Sequence, residues 1–286
     1  MVHDSHGRDE RAESMRLAIL QFKRCNPSWP AVTCIVVDKD FTEIGVIRSE
    51  FPDAMVLLCQ FHVIRYIQDR IGKSSYGLDS IQRERLKPIA SLIVRATSEE
   101  EYKRCFDYVT QELETKDGEV PVLVPYFLDN WHACREMWRS FLRDNVAHLG
   151  NSTNNRLESS WQKIKTIVDR DVDLDEAVTS LIWWARYKEK QFTTDLCRVG
   201  RVVDTVRHTN PVLARLAQIV SKHAYNIIEE EFKVAVSPQT YDTVERGLNE
   251  KFALHSENTT CVIDGATWKS FCMLGRTRKL PCRHVM

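Results

Sequence analysis

The sequence Val32-Thr-Cys-Ile-Val-Val37 decides the fold class, because it is a short β-branched apolar run that leads directly into a carboxylate, Asp38. Such runs are typical of strands that are buried on both faces. A helix is predicted over residues 42–50, Met55-Val-Leu-Leu-Cys59 repeats the buried-strand pattern, and a second helix is predicted over residues 61–71. Strand, helix, strand and helix with short connections indicate a right-handed parallel unit and therefore an α/β fold.

The rest of the chain is predicted to be mostly helical, which makes the fold a mixed, helix-rich α/β fold. The predicted helices cover residues 10–25, 81–95, 98–113, 125–141, 156–168, 174–196, 209–228 and 237–247, and residues 252–263 are predicted to form one or two strands. Tryptophans that recur at helical spacing are more typical of core packing than of base stacking, so Trp131, Trp138, Trp161, Trp183 and Trp184 are predicted to be buried.

The composition restricts the compartment and the partners. Forty basic and forty acidic residues give a formal net charge of zero, so contact with nucleic acid requires a local basic patch. The best candidate is Arg276-Thr-Arg-Lys279, although such a run is also typical of a solvated loop. Nine cysteines without regular spacing, no signal-peptide pattern and no run of about 18 apolar residues predict a protein of the nucleus or cytosol.

The last residues of the chain contain a candidate zinc site. Cys272, Cys282 and His284 offer two thiolates and an imidazole, which are ligands that a structural Zn²⁺ prefers. A tetrahedral site needs a fourth ligand, and Ser270 stands where a Cys-x-Cys pair would place it. We therefore expect Ser270 or water at the fourth position and weak zinc affinity, with Cys261 as the other source of a ligand.

Two sets of motifs resemble a known family. Ser270-Phe-Cys272 followed by Leu280-Pro-Cys282-Arg-His284 resembles the SWIM zinc finger, whose pattern is Cys-x-Cys and then Cys-x-His. The stretches at residues 37–43, 51–54, 58–63 and 154–161 resemble Mutator-like (MULE) transposase domains, and especially the related zinc-finger SWIM-domain proteins that contain a ribonuclease H-like domain. The resemblance covers essentially the whole chain.

The resemblance implies a domain organisation and a zinc cofactor. Residues 1–200 would form a truncated ribonuclease H-like domain with a helical insertion at 80–143, residues 201–250 a helical connector, and residues 251–286 an incomplete SWIM-type zinc finger. The ligands of Zn²⁺ would be Cys272, Cys282, His284 and Ser270.

The resemblance also implies a vestigial catalytic site. In this family three acids hold two divalent metal ions for DNA strand cleavage, and here Asp38 would be the second acid and Glu158 the third. The first acid would lie further upstream, and Asp4 does not match its position. We therefore expect a chain that is N-terminally truncated and catalytically inactive, in which Mg²⁺ binds only if the site is completed. Asp38 and Glu158 are predicted to lie close together.

Simpler structural interpretations exist for the residues around this site. Asp38 could instead cap the following helix, a role common for Asp. The pair Cys59-x-x-His62 either binds a metal or contacts DNA beside the active site, or consists of a buried Cys at a strand end and a His that caps the next helix.

The functional prediction is a zinc-ion-binding, transposase-derived protein that binds DNA or protein, without a membrane or a small-molecule substrate as partner. The alternative is a DDE-type DNA transposase or nuclease that is active only in a fuller gene product. A third possibility is a non-functional remnant of a mobile element.

Overall fold

The computed structural model describes residues 11–113, 122–143, 146–168, 172–201, 210–237, 243–247, 250–256 and 259–286. Helices dominate it and the sheets are small, so the prediction of a helix-rich mixed α/β fold is confirmed. The chain divides into two compact units, Met1–Leu157 and Glu158–Met286.

A parallel strand pair lies at the centre of the first unit. Strand β1 (Cys34–Val37) pairs in parallel with β2 (Met55–Leu58), and the register joins Val37 to Leu58. Helix α2 (Phe41–Glu50) connects the two strands, and α3 (Gln60–Gly72) follows β2. The predicted parallel unit is therefore confirmed, and the carboxyl ends of both strands lie side by side. The full burial predicted for β1 is wrong, because its residues before Val37 are only half-buried.

The remaining helices of the first unit pack around this strand pair. They are α1 (Ala12–Cys25), α4 (Ser80–Arg95), α5 (Glu99–Leu113) and α6 (Leu123–Asn130), and short 3-10 segments follow at His132–Met137 and Phe141–Arg143. Trp131 and Trp138 are buried in the core, as predicted. The helix predicted over residues 125–141 is wrong beyond Asn130, because the chain continues there as 3-10 turns.

The second unit begins with helices. Helix α7 (Asn155–Ile167) crosses the boundary between the units, and α8 (Leu174–Arg198) follows it. The single helix predicted over residues 209–228 is wrong, because the chain forms two helices there, α9 (Pro211–Leu216) and α10 (Lys222–Ala235). Ser221 accepts a hydrogen bond from the backbone N–H of Ala224 and so caps a new helix start. Trp161 and Trp183 are 42% and 57% exposed, so their predicted burial is also wrong.

A small antiparallel sheet completes the second unit. Strands β3 (Thr243–Arg246), β4 (Lys251–Ser256), β5 (Thr259–Asp264) and β6 (Lys269–Ser270) pair in sequence order, and the short helix α11 (Met273–Arg278) follows. The strands predicted over residues 252–263 are confirmed. The helix predicted over residues 237–247 is wrong where the chain is described, because Thr243–Arg246 pairs with β4 instead. Among the described helices, none combines the length and apolar character needed to span a membrane.

Candidate metal centres

The strand ends of the first unit bring three potential metal ligands together. Asp38 follows β1, Cys59 follows β2, and His62 lies in the first turn of α3. One ligand atom from each residue lies within 4.8 Å of those of the other two. The parallel register explains this arrangement, because it ends both strands at the same edge. We call Asp38, Cys59 and His62 the strand-end group.

Hydrogen bonds connect the strand-end group to Asn154. His62 Nδ1 lies 2.6 Å from Asp38 Oδ1, and Asn154 Nδ2 donates to the same carboxylate oxygen at 3.0 Å. The backbone N–H of Asn154 donates to Cys59 Sγ at 3.5 Å. Cys59 is fully buried, whereas the side chains of His62 and Asp38 are 17% and 40% exposed. The group therefore has a closed side at Cys59 and a side at Asp38 that solvent reaches.

Helix capping does not account for Asp38 or His62. Asp40 caps α2, because its Oδ1 accepts hydrogen bonds from the backbone N–H groups of Thr42 at 2.7 Å and Glu43 at 3.0 Å. Cys59, not His62, occupies the N-cap position of α3, and the Cys59 side chain makes no capping hydrogen bond. The capping interpretations of Asp38 and His62 are therefore wrong, whereas the burial predicted for Cys59 is confirmed.

A buried arginine fixes the end of β2 behind this group. Arg143 Nη1 donates to the Leu58 carbonyl at 3.2 Å, and the residue is almost completely buried. Burial lowers the pKa of its guanidinium to about 10, and the nearby thiols of Cys34 and Cys59 oppose that shift. Sequence reasoning included Asn154 in a family-like stretch but gave neither Asn154 nor Arg143 a role, since only the folded chain brings them to the strand ends.

The other predicted catalytic acid lies in a different unit. Glu158 is a half-buried residue in the first turn of α7 and belongs to the second compact unit, whereas Asp38 belongs to the first. The predicted proximity of Asp38 and Glu158 therefore stays a prediction. Asp4 lies outside the described residues.

The C-terminal tail contains a second cluster of potential ligands. Cys272, Cys282 and His284 each present a ligand atom within 4.8 Å of the other two, and we call them the tail group. Cys272 occupies the N-cap position of α11, where its Sγ accepts a hydrogen bond from the backbone N–H of Gly275 at 3.4 Å. Cys282 is completely buried, whereas Cys272 and His284 are half-buried.

Ser270 lies beside the tail group at the end of β6. Its Oγ accepts a hydrogen bond from the backbone N–H of Cys272 at 3.1 Å and lies 3.2 Å from Cys261 Sγ. A hydrogen bond with Cys282 lowers the pKa of the Cys272 thiol, and the same bond together with burial raises the pKa of Cys282. A metal ion that binds both thiols must displace their protons.

An ion pair holds the last ligands of the tail group in place. Glu231 on α10 accepts hydrogen bonds from the backbone N–H of Arg283 at 2.9 Å, from its Nε at 2.9 Å and from its Nη2 at 2.6 Å. These hydrogen bonds lower the pKa of the Glu231 carboxyl. Because Arg283 separates Cys282 from His284 in the chain, this pair fixes the turn that carries both ligands.

Comparison with known proteins adds one match. Residues 1–57 match the family described as zinc finger SWIM domain-containing protein 1/3, RNaseH-like domain. The match shows that residues 1–57 are similar to the RNaseH-like domain of that family. It includes Asp38 and ends shortly before Cys59, and it covers neither Glu158 nor the tail group. No solved structure matches the chain.

Proposed function

We propose that this protein is a zinc-ion-binding, transposase-derived protein whose tail forms a SWIM-type zinc finger. The observation that carries the proposal is the convergence of Cys272, Cys282 and His284 within 4.8 Å. Thiolate and imidazole ligands suit zinc, and a site of this kind contributes its binding free energy to folding. A zinc ion there would join α11 to the last residues of the chain.

The fourth ligand determines the affinity of this site. Ser270 lies next to the tail group, but a neutral hydroxyl is a poorer zinc ligand than a thiolate. We therefore propose that Ser270 or water completes the coordination and that zinc affinity is weaker than in a site with four strong ligands. Cys261, which is 3.2 Å from Ser270 Oγ, is the other source of a fourth ligand.

Metal analysis and chelator competition test this site. We expect Ser270→Cys to tighten zinc binding at the tail and Cys282→Ala to abolish it, while Cys197→Ala, which changes an exposed thiol of the same unit, leaves it unchanged. Equal affinity of the wild type and Ser270→Cys would contradict the assignment of Ser270. Cys261→Ala then distinguishes a Cys261 ligand, whose loss weakens binding, from a tail that binds no zinc.

We further propose that the protein acts by binding, in the nucleus or cytosol, and that its partner is DNA or a protein. Arg276 and Lys279 are exposed at α11, and Arg278 is half-buried on the same helix, which favours DNA as the partner. Neutralising a phosphate contact lowers the salt dependence of DNA binding by about one unit of slope. Replacing Arg276 and Lys279 with Gln should therefore weaken DNA binding and reduce its slope against salt, and an unchanged slope would favour a protein partner.

A DDE-type transposase or nuclease is the second candidate function. The exposed carboxylate of Asp38 at the end of a parallel strand favours it, because metal ions can reach this position. We expect no DNA nicking with Mg²⁺ or Mn²⁺ from this chain. Nicking that disappears in both Asp38→Ala and Glu158→Ala would establish the enzymatic function instead.

A further inference from the structure

We propose that the strand-end group, Asp38, Cys59 and His62, binds a single zinc ion of its own. This site goes beyond the proposed zinc finger, because it uses other ligands in another compact unit. The decisive observation is that a carboxylate, a thiol and an imidazole from two strand ends and one helix start all lie within 4.8 Å of one another.

The geometry of the strand-end group fits one ion. Tetrahedral ligands at about 2.0–2.3 Å from zinc lie roughly 3.3–3.8 Å apart, which is inside the observed 4.8 Å limit. His62 Nδ1 and Asp38 Oδ1 are 2.6 Å apart, so an ion would replace their direct contact after a small side-chain rotation. Cys59 needs no large movement, because the end of β2 and the start of α3 fix its backbone.

The chemistry of the three ligands favours zinc over magnesium. Mg²⁺ prefers six oxygen ligands, whereas a mixed set of sulfur, nitrogen and oxygen in a tetrahedral arrangement is typical of Zn²⁺. The charges balance as well: the Asp38 carboxylate and a Cys59 thiolate neutralise the two positive charges of the ion. The zinc complex of these residues is therefore neutral, which lowers the cost of enclosing the ion beside the buried Cys59.

Asn154 offers a fourth ligand to the same ion. Its Nδ2 donates to Asp38 Oδ1 at 3.0 Å, and its Oδ1 is buried without a hydrogen-bond partner among the described residues. Rotation of the carboxamide by half a turn exchanges these two atoms and brings the oxygen next to Asp38 Oδ1. Asn154 Oδ1 or a water molecule on the exposed side of Asp38 then completes the tetrahedron.

A zinc ion here would have a consequence for the predicted catalytic site. It would join the end of β1 to the start of α3 and engage the carboxylate that the resemblance assigns to a two-metal centre. Zn²⁺ and Mg²⁺ would then compete for Asp38.

The experiment isolates this site by removing the tail group. The full chain with Cys272→Ser and Cys282→Ala is stripped with a chelator and titrated with Zn²⁺ against a chromophoric competitor. We expect one zinc ion per chain. Added Asp38→Asn or His62→Ala should weaken binding at least about 10-fold, since even residues that only support a metal ligand contribute 10–100-fold. Asp40→Asn is the matched control, because Asn keeps the cap of α2 and Asp40 is not a ligand.

Cobalt identifies the thiolate ligand. Co²⁺ bound to the same tail-disabled protein should show thiolate-to-cobalt charge-transfer absorption that Cys59→Ser removes and Cys34→Ser retains. Cys59 is buried, so its replacement can unfold the protein. Metal binding is therefore also measured in His62→Ala, and circular dichroism checks that this variant is folded. Absence of stoichiometric zinc in the tail-disabled chain, or binding that a folded Asp38→Asn or His62→Ala protein retains in full, would overturn the proposal.

Discussion

The strand-end group and the tail group both combine thiol and imidazole ligands, but the chain builds them in opposite ways. The buried last residues of β1 and β2, Val37 and Leu58, fix Asp38 and Cys59, and the parallel register of the two strands joins these ligands. The tail group instead depends on hydrogen bonds from α10 and α11 and on one close backbone approach at Gly275. One kind of ligand set can therefore be built either by a hydrophobic core or by a network of polar contacts.

The largest expected effect is on the core beneath the strand-end group. Leu58 is 1% exposed and immediately precedes Cys59, so Leu58→Ala leaves a cavity in the first unit and should reduce its free energy of unfolding by about 2–5 kcal/mol. Denaturant unfolding measures the loss, and Leu92→Ala, at a 50% exposed position of α4, is the control.

Zinc analysis of the Leu58→Ala protein tests whether the strand-end group and the tail group depend on different parts of the fold. We expect the strand-end group to lose its metal, while the tail keeps the zinc stoichiometry of the wild type. If Leu58→Ala removed zinc from both groups, the tail group would also depend on the core of the first unit.

The next largest effect concerns the close approach at Gly275. A Cβ atom at this position would lie 2.7 Å from the backbone oxygen of Ser270, so Gly275→Ala must push α11 away from β6. Such overpacking typically costs about 1–3 kcal/mol, and we also expect weaker zinc binding at the tail. Gly45→Ala in α2 is the matched control, because nothing lies within 4 Å of its added Cβ and alanine favours a helix. Equal stability of the two variants, measured by thermal unfolding, would contradict this account.

The same comparison explains what the sequence could predict. The tail ligands Cys272, Cys282 and His284 lie close together in the chain, so their spacing alone suggested a shared ion. The parallel strand pair was also predictable, because a β-branched apolar run followed by a helix is a local pattern.

Other features were not predictable from local patterns. The residues of the strand-end group come together only through long-range contacts. These are the pairing of β1 with β2 and the hydrogen bond from Asn154 to Asp38. Strand β3 was mistaken for a helix for a similar reason: residues 243–246 form a strand through pairing with β4, a tertiary interaction that overrides local propensity.

A smaller effect tests the polar support of the tail. Glu231→Gln removes the charge that binds Arg283, and we expect a loss of about 1–2 kcal/mol in the free energy of unfolding at pH 7, measured with a chelator present. Because the folded-state pKa of Glu231 is lowered, its contribution is complete above its ordinary value of 4.5 and disappears as the pH falls through the folded value.

The difference between the wild type and Glu231→Gln should therefore be constant near neutral pH and shrink below pH 4.5. Glu230→Gln is the control, since Glu230 is 70% exposed and pairs with Lys233 of its own helix. A difference that grows in acid would have the wrong sign for this mechanism.

The smallest expected effect separates the two aspartates that follow β1. Asp40→Ala removes the N-cap of α2 and should cost about 1 kcal/mol, because two backbone N–H groups lose their acceptor. Asp38→Asn should change stability by less than about 0.5 kcal/mol, because an Asn carboxamide oxygen can still accept from Asn154 and the position is 40% exposed.

Metal binding should respond in the opposite order, with Asp38→Asn impaired and Asp40→Ala unaffected. Denaturant unfolding with chelator, paired with zinc titration of the tail-disabled chain, measures both. If Asp38→Asn were the more destabilising change in the chelated protein, the carboxylate would have a structural role, and the contrast between a cap at Asp40 and a ligand at Asp38 would fail.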